Sequence, residues 1–397
     1  MKFYRFIGGA TLLILLPLAG VVEAQITQTI RGTVVDKNTG VPLIGASIVL
    51  LDHEPVLGTI TDHQGYFNLR DVPVGRRGIR VDYLGYSTYS TENLDVNSGK
   101  AFTLSVELEE SAIMGEEAVV RARAGKGQVL NEMALVSARS FNMEETERFA
   151  GSWGDPARLV ANFAGVQSPA DQSNDIIIRG NSPAGLLWRM EGVSVYNPNH
   201  FGSIGSTGGP ISMINNNMLA NSDFYSGAFP AEYGNAISGV FDLNIRTGNN
   251  TEREYTAQVG FNGFEFGAEG PFSKNSNASY LASYRYSSLS VFEKLGLSLG
   301  VPAIPHYQDL TFKVDLPINE KSRLSVFGLG GASHIGTSET EEEDYFAFRS
   351  YSQTGAAGIS YKYYINDKTR LRTILSWSGI RNYGQDSTGS DGLLDLS

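Results

Sequence analysis

The chain has 397 residues, a formal net charge of −11 and no cysteine, which is enough length for two or three domains. The absence of cysteine excludes disulfide bonds and thiolate metal sites. The acidic balance disfavours nucleic-acid binding, because no basic run with interleaved aromatic residues offsets it. The 45 glycines, 19 tyrosines and 20 phenylalanines are typical of turn-rich β structure with aromatic girdles, in a soluble or a membrane protein.

Residues 1–24 have the pattern of a secretory signal. Lys2 and Arg5 precede an apolar run over residues 10–22, and Ala24 marks the expected cleavage site. The run is shorter than the ~20 residues that a spanning helix needs, which disfavours the alternative of a retained anchor. A lipid-modified start is excluded because no cysteine follows the run.

Residues 25–108 contain short β-prone segments separated by turns at 38–40, 63–65 and 73–75. Regular turn spacing of this kind predicts a small β-sandwich. His53 and His63 lie beside turns and lack the spacing of a zinc site, so we expect solvated loop histidines.

Glycines recur at set positions across the same segment, together with small and apolar residues. The set comprises Gly32, Asp36, Gly40, Pro42, Leu43, Gly45, Ala46, Gly58, Thr59, Thr61, Asp62, Gly65, Phe67, Gly75, Gly85 and Tyr86. This pattern resembles the carboxypeptidase regulatory-like domain and covers the whole segment. The resemblance implies a seven-stranded, non-catalytic sandwich, and despite the name it implies no peptidase.

Residues 109–135 have the composition of a linker and carry one short β-prone patch. The patch consists of Glu117, Ala118, Val119, Val120 and Arg121. In a polar, glycine-containing surround, such an extended peptide suits addition to the sheet edge of a partner. Its position resembles the TonB box of Bacteroidetes-type receptors, although that family more often has Glu-Val-Val-Val and Ala118 departs from it. An ordinary linker strand is the alternative.

Residues 136–250 show a mixed α/β pattern. Asp155 as N-cap and Pro156 at the first helical position predict a short helix that ends near Gly165. A β-branched strand is expected over 175–181, and residues 186–205 have the pattern of a hairpin followed by a loop.

The character of the sequence changes between Asp223 and Thr247. Glycines there separate one strand, a turn over 230–235 and a second strand from Gly239 to Arg246. Beyond this join, segments alternate apolar and polar residues. We therefore expect the join to connect a globular domain to the wall of a β-barrel.

Three short motifs occur in order within this middle region. They are Ile178-Arg179-Gly180, Glu191-Gly192-Val193, and Ala231-Glu232-Tyr233-Gly234 with Ser238-Gly239-Val240. Together they resemble the plug domain of TonB-dependent outer-membrane receptors, in which the second motif more often begins with Asp. The resemblance gives Ile178, Arg179, Gly180, Glu191, Gly192, Tyr233, Gly234 and Gly239 as the plug motif residues.

Residues 251–397 alternate as the strands of a transmembrane barrel do. Leu310, Phe312 and Val314 share one face, and the intervening polar residues share the other. Placing Lys313 or Arg370 toward lipid would cost about 2–4 kcal/mol near the midplane, so the charged face should line the lumen. A tight turn is expected at residues 262–263, and the segment has room for about 6–8 strands.

Loop lengths orient this wall. Short turns are expected near 274–277, 318–322 and 366–368, and long connections over 287–305 and 333–344. Short periplasmic turns and long external loops are the rule for such barrels, so the long loops should face outward. The acidic run at 339–344 lacks the spacing of a calcium cage, and a solvated loop is preferred.

The fold class predicted is mainly β: an N-terminal sandwich, an α/β plug and an incomplete antiparallel transmembrane barrel. Receptors of this kind have about 22 strands, and an open barrel edge is not tolerated in hydrocarbon. We therefore expect the chain to be the N-terminal part of a longer receptor.

No catalytic chemistry is visible in the sequence. The five histidines are scattered, and the 202–209 loop lacks the ending of a phosphate loop. No cofactor and no metal are predicted. The alternatives kept open are a non-transporting binding or signalling receptor, an inactive truncated transporter, and a soluble carbohydrate-binding β protein.

The resemblance implies TonB-dependent active import of a scarce substrate across the outer membrane, with the N-terminal domain in the periplasm. It implies TonB with ExbB and ExbD as partners, contact with membrane lipid and, in Bacteroidetes importers, a surface lipoprotein. Siderophores, oligosaccharides and peptides all remain open as substrates.

Overall fold

The computed structural model describes residues 26–111, 137–141, 146, 148–149, 151–203, 205–260, 263–273, 277–287, 289, 291, 304–341, 344–366, 369–390 and 393–396. Most of these residues are in β-strands. The candidate signal at 1–24 and the β-prone patch at 117–121 lie outside the described residues. No helix in the described part of the chain is long and apolar enough to cross a membrane.

The N-terminal domain is the seven-stranded sandwich that the turn spacing and the resemblance predicted. Its two sheets have the orders β4-β1-β7 and β3-β2-β5-β6, with β1 parallel to β7. The sheets enclose a core that includes Ile30, Ile48 and Leu69. A side chain at Gly32 would collide with the carbonyl oxygen of Leu104, so only glycine permits the close approach of β1 and β7. The strands are β1 (Thr27–Asp36), β2 (Ser47–Leu50), β3 (Gly58–Ile60), β4 (Tyr66–Pro73), β5 (Gly75–Asp82), β6 (Tyr89–Val96) and β7 (Phe102–Leu108).

The middle domain, residues 137–250, is built on a five-stranded sheet of order β12-β11-β16-β15-β8. Parallel pairing of β11 with β16 lies at its centre, and β8 forms one edge. The strands are β8 (Ala138–Phe141), β9 (Val166–Gln167), β10 (Ile177–Ile178), β11 (Leu186–Met190), β12 (Val193–Val195), β13 (Asn199–His200), β14 (Ile211–Ser212), β15 (Ser222–Tyr225) and β16 (Gly239–Leu243). Two 3-10 turns occupy Pro183–Gly185 and Asn216–Met218.

The helix of this domain, α1 (Pro156–Val160), starts where predicted and is shorter than predicted. The Asp155 carboxylate accepts a hydrogen bond from the backbone N–H of Ala157 at 2.9 Å, as an N-cap should. The prediction that the helix ends near Gly165 is wrong. After Val160 the backbone bonds become i to i+3, and the Asn162 side chain donates to the carbonyl of Arg158, so local side-chain bonding replaces the next helical turn.

Aromatic packing forms the core of the middle domain. Trp188 stacks on Phe241 with ring centroids 4.2 Å apart and an interplanar angle of 6°, and Phe224 contacts the same ring at 4.8 Å. The cluster continues into the next domain through Leu281 and Phe327. The middle domain therefore shares part of its apolar core with the wall.

The C-terminal part, which we call the wall, is one antiparallel sheet of eight strands in sequence order, within the range that the sequence predicted. Among the described residues, the first and last of these strands do not pair with each other. The strands are β17 (Glu254–Gly260), β18 (Gly263–Pro271), β19 (Ser279–Tyr286), β20 (His306–Asn319), β21 (Ser322–Glu341), β22 (Asp344–Asn366), β23 (Thr369–Ser390) and β24 (Leu393–Leu396).

The two faces of the wall differ as the alternation predicted. Leu310 on the outward face is 44% exposed, whereas Asp309 and Lys313 on the inward face are 4% and 8% exposed. The middle domain covers the part of the inward face that includes Asp309 and Lys313. The outward face keeps large apolar side chains uncovered, among them Tyr255, Leu375 and Trp377, as a lipid-facing surface does.

Two predictions about the wall are wrong. Residues 333–344 do not form a long connection, because β21 continues to Glu341 and pairs there with Asp344. Residues 333–341 are mostly polar at both odd and even positions, so no apolar alternation marks the continuation of the strand. The turn expected at 262–263 also shifts, since Gly263 already pairs with Gly260 as the first residue of β18.

Candidate functional site

The contact between the middle domain and the inward face of the wall holds a cluster of buried charged residues. We call this region the seat. Its best-defined part is the hairpin between β11 and β12, where Glu191 and Gly192 both have positive φ, at 52° and 87°. Such a turn matches the twist of the flanking strands. It presents Glu191 to the wall.

Glu191 is held by partners from two domains. Its carboxylate lies 2.6 Å from Nζ of Lys313 on β20 and accepts a hydrogen bond from the backbone N–H of Ile245 at 2.9 Å. Arg372 on β23 donates to the Glu191 backbone carbonyl at 2.7 Å. Burial alone would raise the pKa of Glu191, but the cations Lys313, Lys362 and Arg372 outweigh it and lower that pKa, so the group stays ionised.

The other predicted motif residues lie together, away from Glu191. Ile178 ends β10 and is fully buried, while Arg179 and Gly180 form a left-handed turn after it, with φ of 50° and 80°. A side chain at Gly239 would collide with Ile178, so the first and third motifs meet through this glycine. Arg179 donates to the Ser137 hydroxyl at 2.7 Å, at the start of β8.

Tyr233 belongs to a buried polar group beneath the same strands. Its hydroxyl donates to the Asp242 carboxylate at 2.7 Å and lies 3.3 Å from the hydroxyl of Tyr225. Burial raises the pKa of Asp242, and the Tyr233 bond and the Arg189 charge oppose that rise. Nothing lies within 4 Å of a side chain placed at Gly234, and the structure does not explain that glycine.

Sequence reasoning missed Glu269, the carboxylate with the most cationic partners in the seat. It lies on β18, facing inward, and forms a two-point pair with Arg246 at 2.6 and 2.7 Å. Arg31 of the N-terminal sandwich lies at 2.6 Å and Lys100 at 3.4 Å. The alternation of side chains along β18 indicates that Glu269 faces inward. Its partners could not be predicted, because they come from two other domains.

His200 is a second seat residue, to which the sequence assigned no role of its own. Its Nε2–H donates to Asp309 on β20 at 2.9 Å, and Arg285 on β19 holds the same carboxylate at 2.7 Å. Burial lowers the pKa of His200 despite the neighbouring carboxylate. The ring fits against the wall at Gly331, where a side chain would come within 2.8 Å of Cε1.

The sandwich contacts one end of the wall. The Tyr66 hydroxyl donates to Asp315 at 2.8 Å, and Asn277, beside a short turn, donates to Asp62 and Gln64 at 2.9 and 2.7 Å. This end carries the short turns, and the long connection 287–305 lies at the other. Within the described residues, no group of three or more His, Cys, Asp or Glu side chains is placed to hold a metal ion.

Two family models each match a part of the chain. Residues 29–109 match the carboxypeptidase regulatory-like domain, and residues 132–240 match the TonB-dependent receptor plug domain. The first corresponds to the sandwich and the second to most of the middle domain. No curated protein matches the sequence.

Solved structures give more distant likenesses. The outer membrane transporter YddB from Escherichia coli is 16% identical, with a TM-score of 0.42, and the match covers 64% of this chain and 40% of that one. The ferric enterobactin receptor of Pseudomonas aeruginosa is 14% identical, with a TM-score of 0.36 and coverage of 64% and 48%. The siderophore receptor PirA from Acinetobacter baumannii is 13% identical, with a TM-score of 0.36 and coverage of 64% and 45%. The chain therefore spans less than half the length of these proteins.

Proposed function

We propose, from the premise that the chain carries a carboxypeptidase regulatory-like domain followed by a TonB-dependent receptor plug domain, that it acts in TonB-dependent import across the outer membrane. The wall crosses the membrane with its strands, and the middle domain closes the lumen as a plug. The substrate is a scarce compound of a class that the described residues do not specify.

The observation that carries this proposal is the seat. A plug-type domain lies against the polar inward face of a sheet whose outward face is apolar, and buried ion pairs such as Glu191 with Lys313 join the two. A charged interface needs no apolar surface to be exposed to water when it opens. Water can replace each ionic contact when the plug leaves the wall, and the apolar cost comes from the part of the core that the two share, which includes Leu281 and Phe327.

The strand order indicates which strand of the plug would be displaced first by a force that TonB applies to the segment before it. The candidate TonB box, Glu117 to Arg121, precedes the plug, and the next described element is β8. Among the described residues, β8 lies at the edge of the five-stranded sheet and pairs with β15 alone, over four residues. Force applied to the preceding segment therefore reaches an edge strand with one partner, which can be peeled away before the central strands are disturbed.

The sandwich supports an orientation for the proposed importer. It contacts the wall at the end with short turns, through Tyr66 and Asp62. Short turns are typical of the periplasmic side of outer-membrane barrels. In this orientation the sandwich and the candidate box face the periplasm, where TonB with ExbB and ExbD would act, and the end of the wall where β19 ends and β20 begins faces outward.

Deletion of Glu117 to Arg121 tests the proposal. We expect substrate uptake to be lost while binding at the cell surface is retained, because the box transmits force and does not contact the substrate. Deletion of Arg123 to Gly127 shortens the same segment by the same length and serves as the matched control. Undiminished uptake after the first deletion refutes the assignment of the box. Surface binding with no TonB-dependent uptake in the unaltered protein would instead favour a non-transporting receptor.

A further inference from the structure

Four aromatic rings form a continuous row across four strands on the outward face of the wall. His306 and His334 are stacked, with centroids 4.6 Å apart and an interplanar angle of 3°. Tyr351 stacks on His334 at 5.6 Å and 21°, and Tyr383 lies 6.2 Å from Tyr351. The strand register places each ring directly opposite the next. We call this set the ring row.

The ring row lies at one boundary of the apolar band. From Tyr351 to Tyr361 on β22 there are ten residues, or about 33 Å of strand. A tilt of about 40° reduces this to roughly 25 Å along the membrane normal, which is the height of the apolar band of such barrels. Tyr361 lies near the sandwich end of the wall. The ring row therefore marks the opposite boundary, at the level of the lipid headgroups.

Among the outward side chains that the structure describes, charge lies only at this boundary and has one sign. Arg349 lies two residues beyond Tyr351 on β22, and Arg381 lies two residues before Tyr383 on β23. The pairing places the two arginines on opposite sides of the ring row. Among the outward side chains that the structure describes in β17 to β23, none is Asp or Glu, although the whole chain carries a net charge of −11.

The outward arginines also differ from the cations of the inward face in their partners. Arg285 pairs with Asp309, and Lys313 pairs with Glu191. Arg349 and Arg381 are exposed, and neither has a hydrogen-bond or ion-pair partner among the described residues. Both guanidinium groups are therefore available to an anion from outside the chain.

We propose that the ring row, with Arg349 and Arg381, binds the phosphate of an anionic lipid headgroup in the leaflet farther from the sandwich. A planar guanidinium donates two parallel hydrogen bonds to a phosphate, and aromatic rings are favoured at headgroup level. Charged side chains at that depth cost only about 0–1 kcal/mol. The inference rests on the proposed placement of the wall in a membrane.

Trp377 supplies a reporter for such a lipid. It lies four residues from Arg381 on β23, on the same outward face toward the middle of the band, and is 66% exposed. A lipid whose phosphate is held at Arg381 lays an acyl chain along Trp377. Bromine atoms on that chain quench the tryptophan by contact. Trp377→Phe removes the quenched signal and leaves the fluorescence of the other two tryptophans of the chain. The difference between the two proteins is the signal of Trp377.

The experiment compares quenching of the full chain, folded in detergent, by acyl-brominated phosphatidylglycerol and by acyl-brominated phosphatidylcholine. We expect the anionic lipid to be preferred several-fold. The variant Arg349→Gln/Arg381→Gln should show a ratio near one, and Arg349→Lys/Arg381→Lys should keep part of the preference because the charge remains. The control Arg70→Gln/Arg76→Gln removes the same charge from exposed positions on the sandwich and should leave the ratio unchanged.

Each contrary result has a separate meaning. Equal quenching by the two lipids in the unaltered chain overturns the headgroup site and leaves the import proposal standing. No quenching of Trp377 by either lipid overturns both. Loss of the preference in millimolar inorganic phosphate shows that the arginines take free phosphate, which overturns the lipid assignment. Retention of the preference in the Arg→Gln variant, with unchanged circular dichroism, also overturns it.

Discussion

Lys313 of the wall and Glu191 of the plug form an ion pair of 2.6 Å in which the side chains are only 10% and 7% exposed. The two residues are 122 positions apart, and Lys313 also donates to the carbonyl of Ile245 at 2.5 Å. One ammonium group thus joins the wall to the β11–β12 hairpin and to the segment that leads out of the plug.

Lys313→Met should destabilise the folded chain by about 3–5 kcal/mol, because Glu191 would remain buried without its closest cation. The double variant Lys313→Met/Glu191→Gln should recover most of that loss, since Gln still accepts from the Ile245 N–H. Urea unfolding in detergent, followed by the fluorescence of the buried Trp188, measures both. A single variant as stable as the unaltered chain would contradict the role given to this pair.

Gly331→Val should loosen the plug from the wall, whereas Gly330→Val should not. A side chain at Gly331 would lie 2.8 Å from the His200 ring and 3.0 Å from the sulfur of Met213, but one at Gly330 meets nothing closer than 3.4 Å. We expect a destabilisation of about 1–3 kcal/mol for the first variant and little change for the second. The comparison is made by thermal unfolding of the two single variants. Equal destabilisation at the two positions would count against His200 as a seat residue.

The stability of the sandwich should fall as pH rises from about 4.5 to about 7. Burial and the negative charge of Asp223 raise the pKa of Glu107 to about 7, against the opposing effect of Lys37. The folded state therefore binds a proton that the unfolded state has already released, and this contribution is lost as pH rises through the folded pKa. Glu107→Gln should flatten the dependence in thermal unfolding. Glu92→Gln, at an exposed position of the same domain, should leave it intact.

Glu269→Gln should release the sandwich from the wall, because Arg31, Arg246 and Lys100 would then face an amide instead of a carboxylate. The chain has no cysteine, so Gln64→Cys and Asn277→Cys, whose native side chains are 2.7 Å apart, can report docking with a short bismaleimide.

The cross-linked fraction should drop severalfold in Glu269→Gln. It should be unchanged in Glu252→Gln, which removes an exposed carboxylate from the segment between β16 and β17. An unchanged yield in the first variant would show that Glu269 does not hold the sandwich.

Local patterns predicted the parts of this fold that local chemistry determines. Asp155 followed by Pro156 marked the start of the helix, because capping needs only neighbouring residues. The alternation from Asp309 to Leu316 gave the inward and outward faces of β20, because side chains in a strand change sides at every residue. The spacing of the turns predicted a small β-sandwich, because turns also depend on neighbouring residues, and the resemblance implied its seven strands.

The contacts of the seat could not be predicted in this way. Arg31 and Glu269 are separated by 238 residues, and their pairing depends on how three domains meet. His200 lies in a loop whose sequence does not indicate burial. The course of β21 beyond Ser333 was also hidden, since a strand that is polar on both faces resembles a loop in its composition.

The length of the central wall strands has a consequence for capture. β21, β22 and β23 contain 20, 23 and 22 residues, whereas about 9–11 residues cross a bilayer. In the proposed membrane placement, roughly half of each strand therefore extends beyond the lipid as a hydrogen-bonded ladder. For the proposed importer, the outer parts of these strands are ordered before a compound arrives, so little conformational entropy is lost when they bind it.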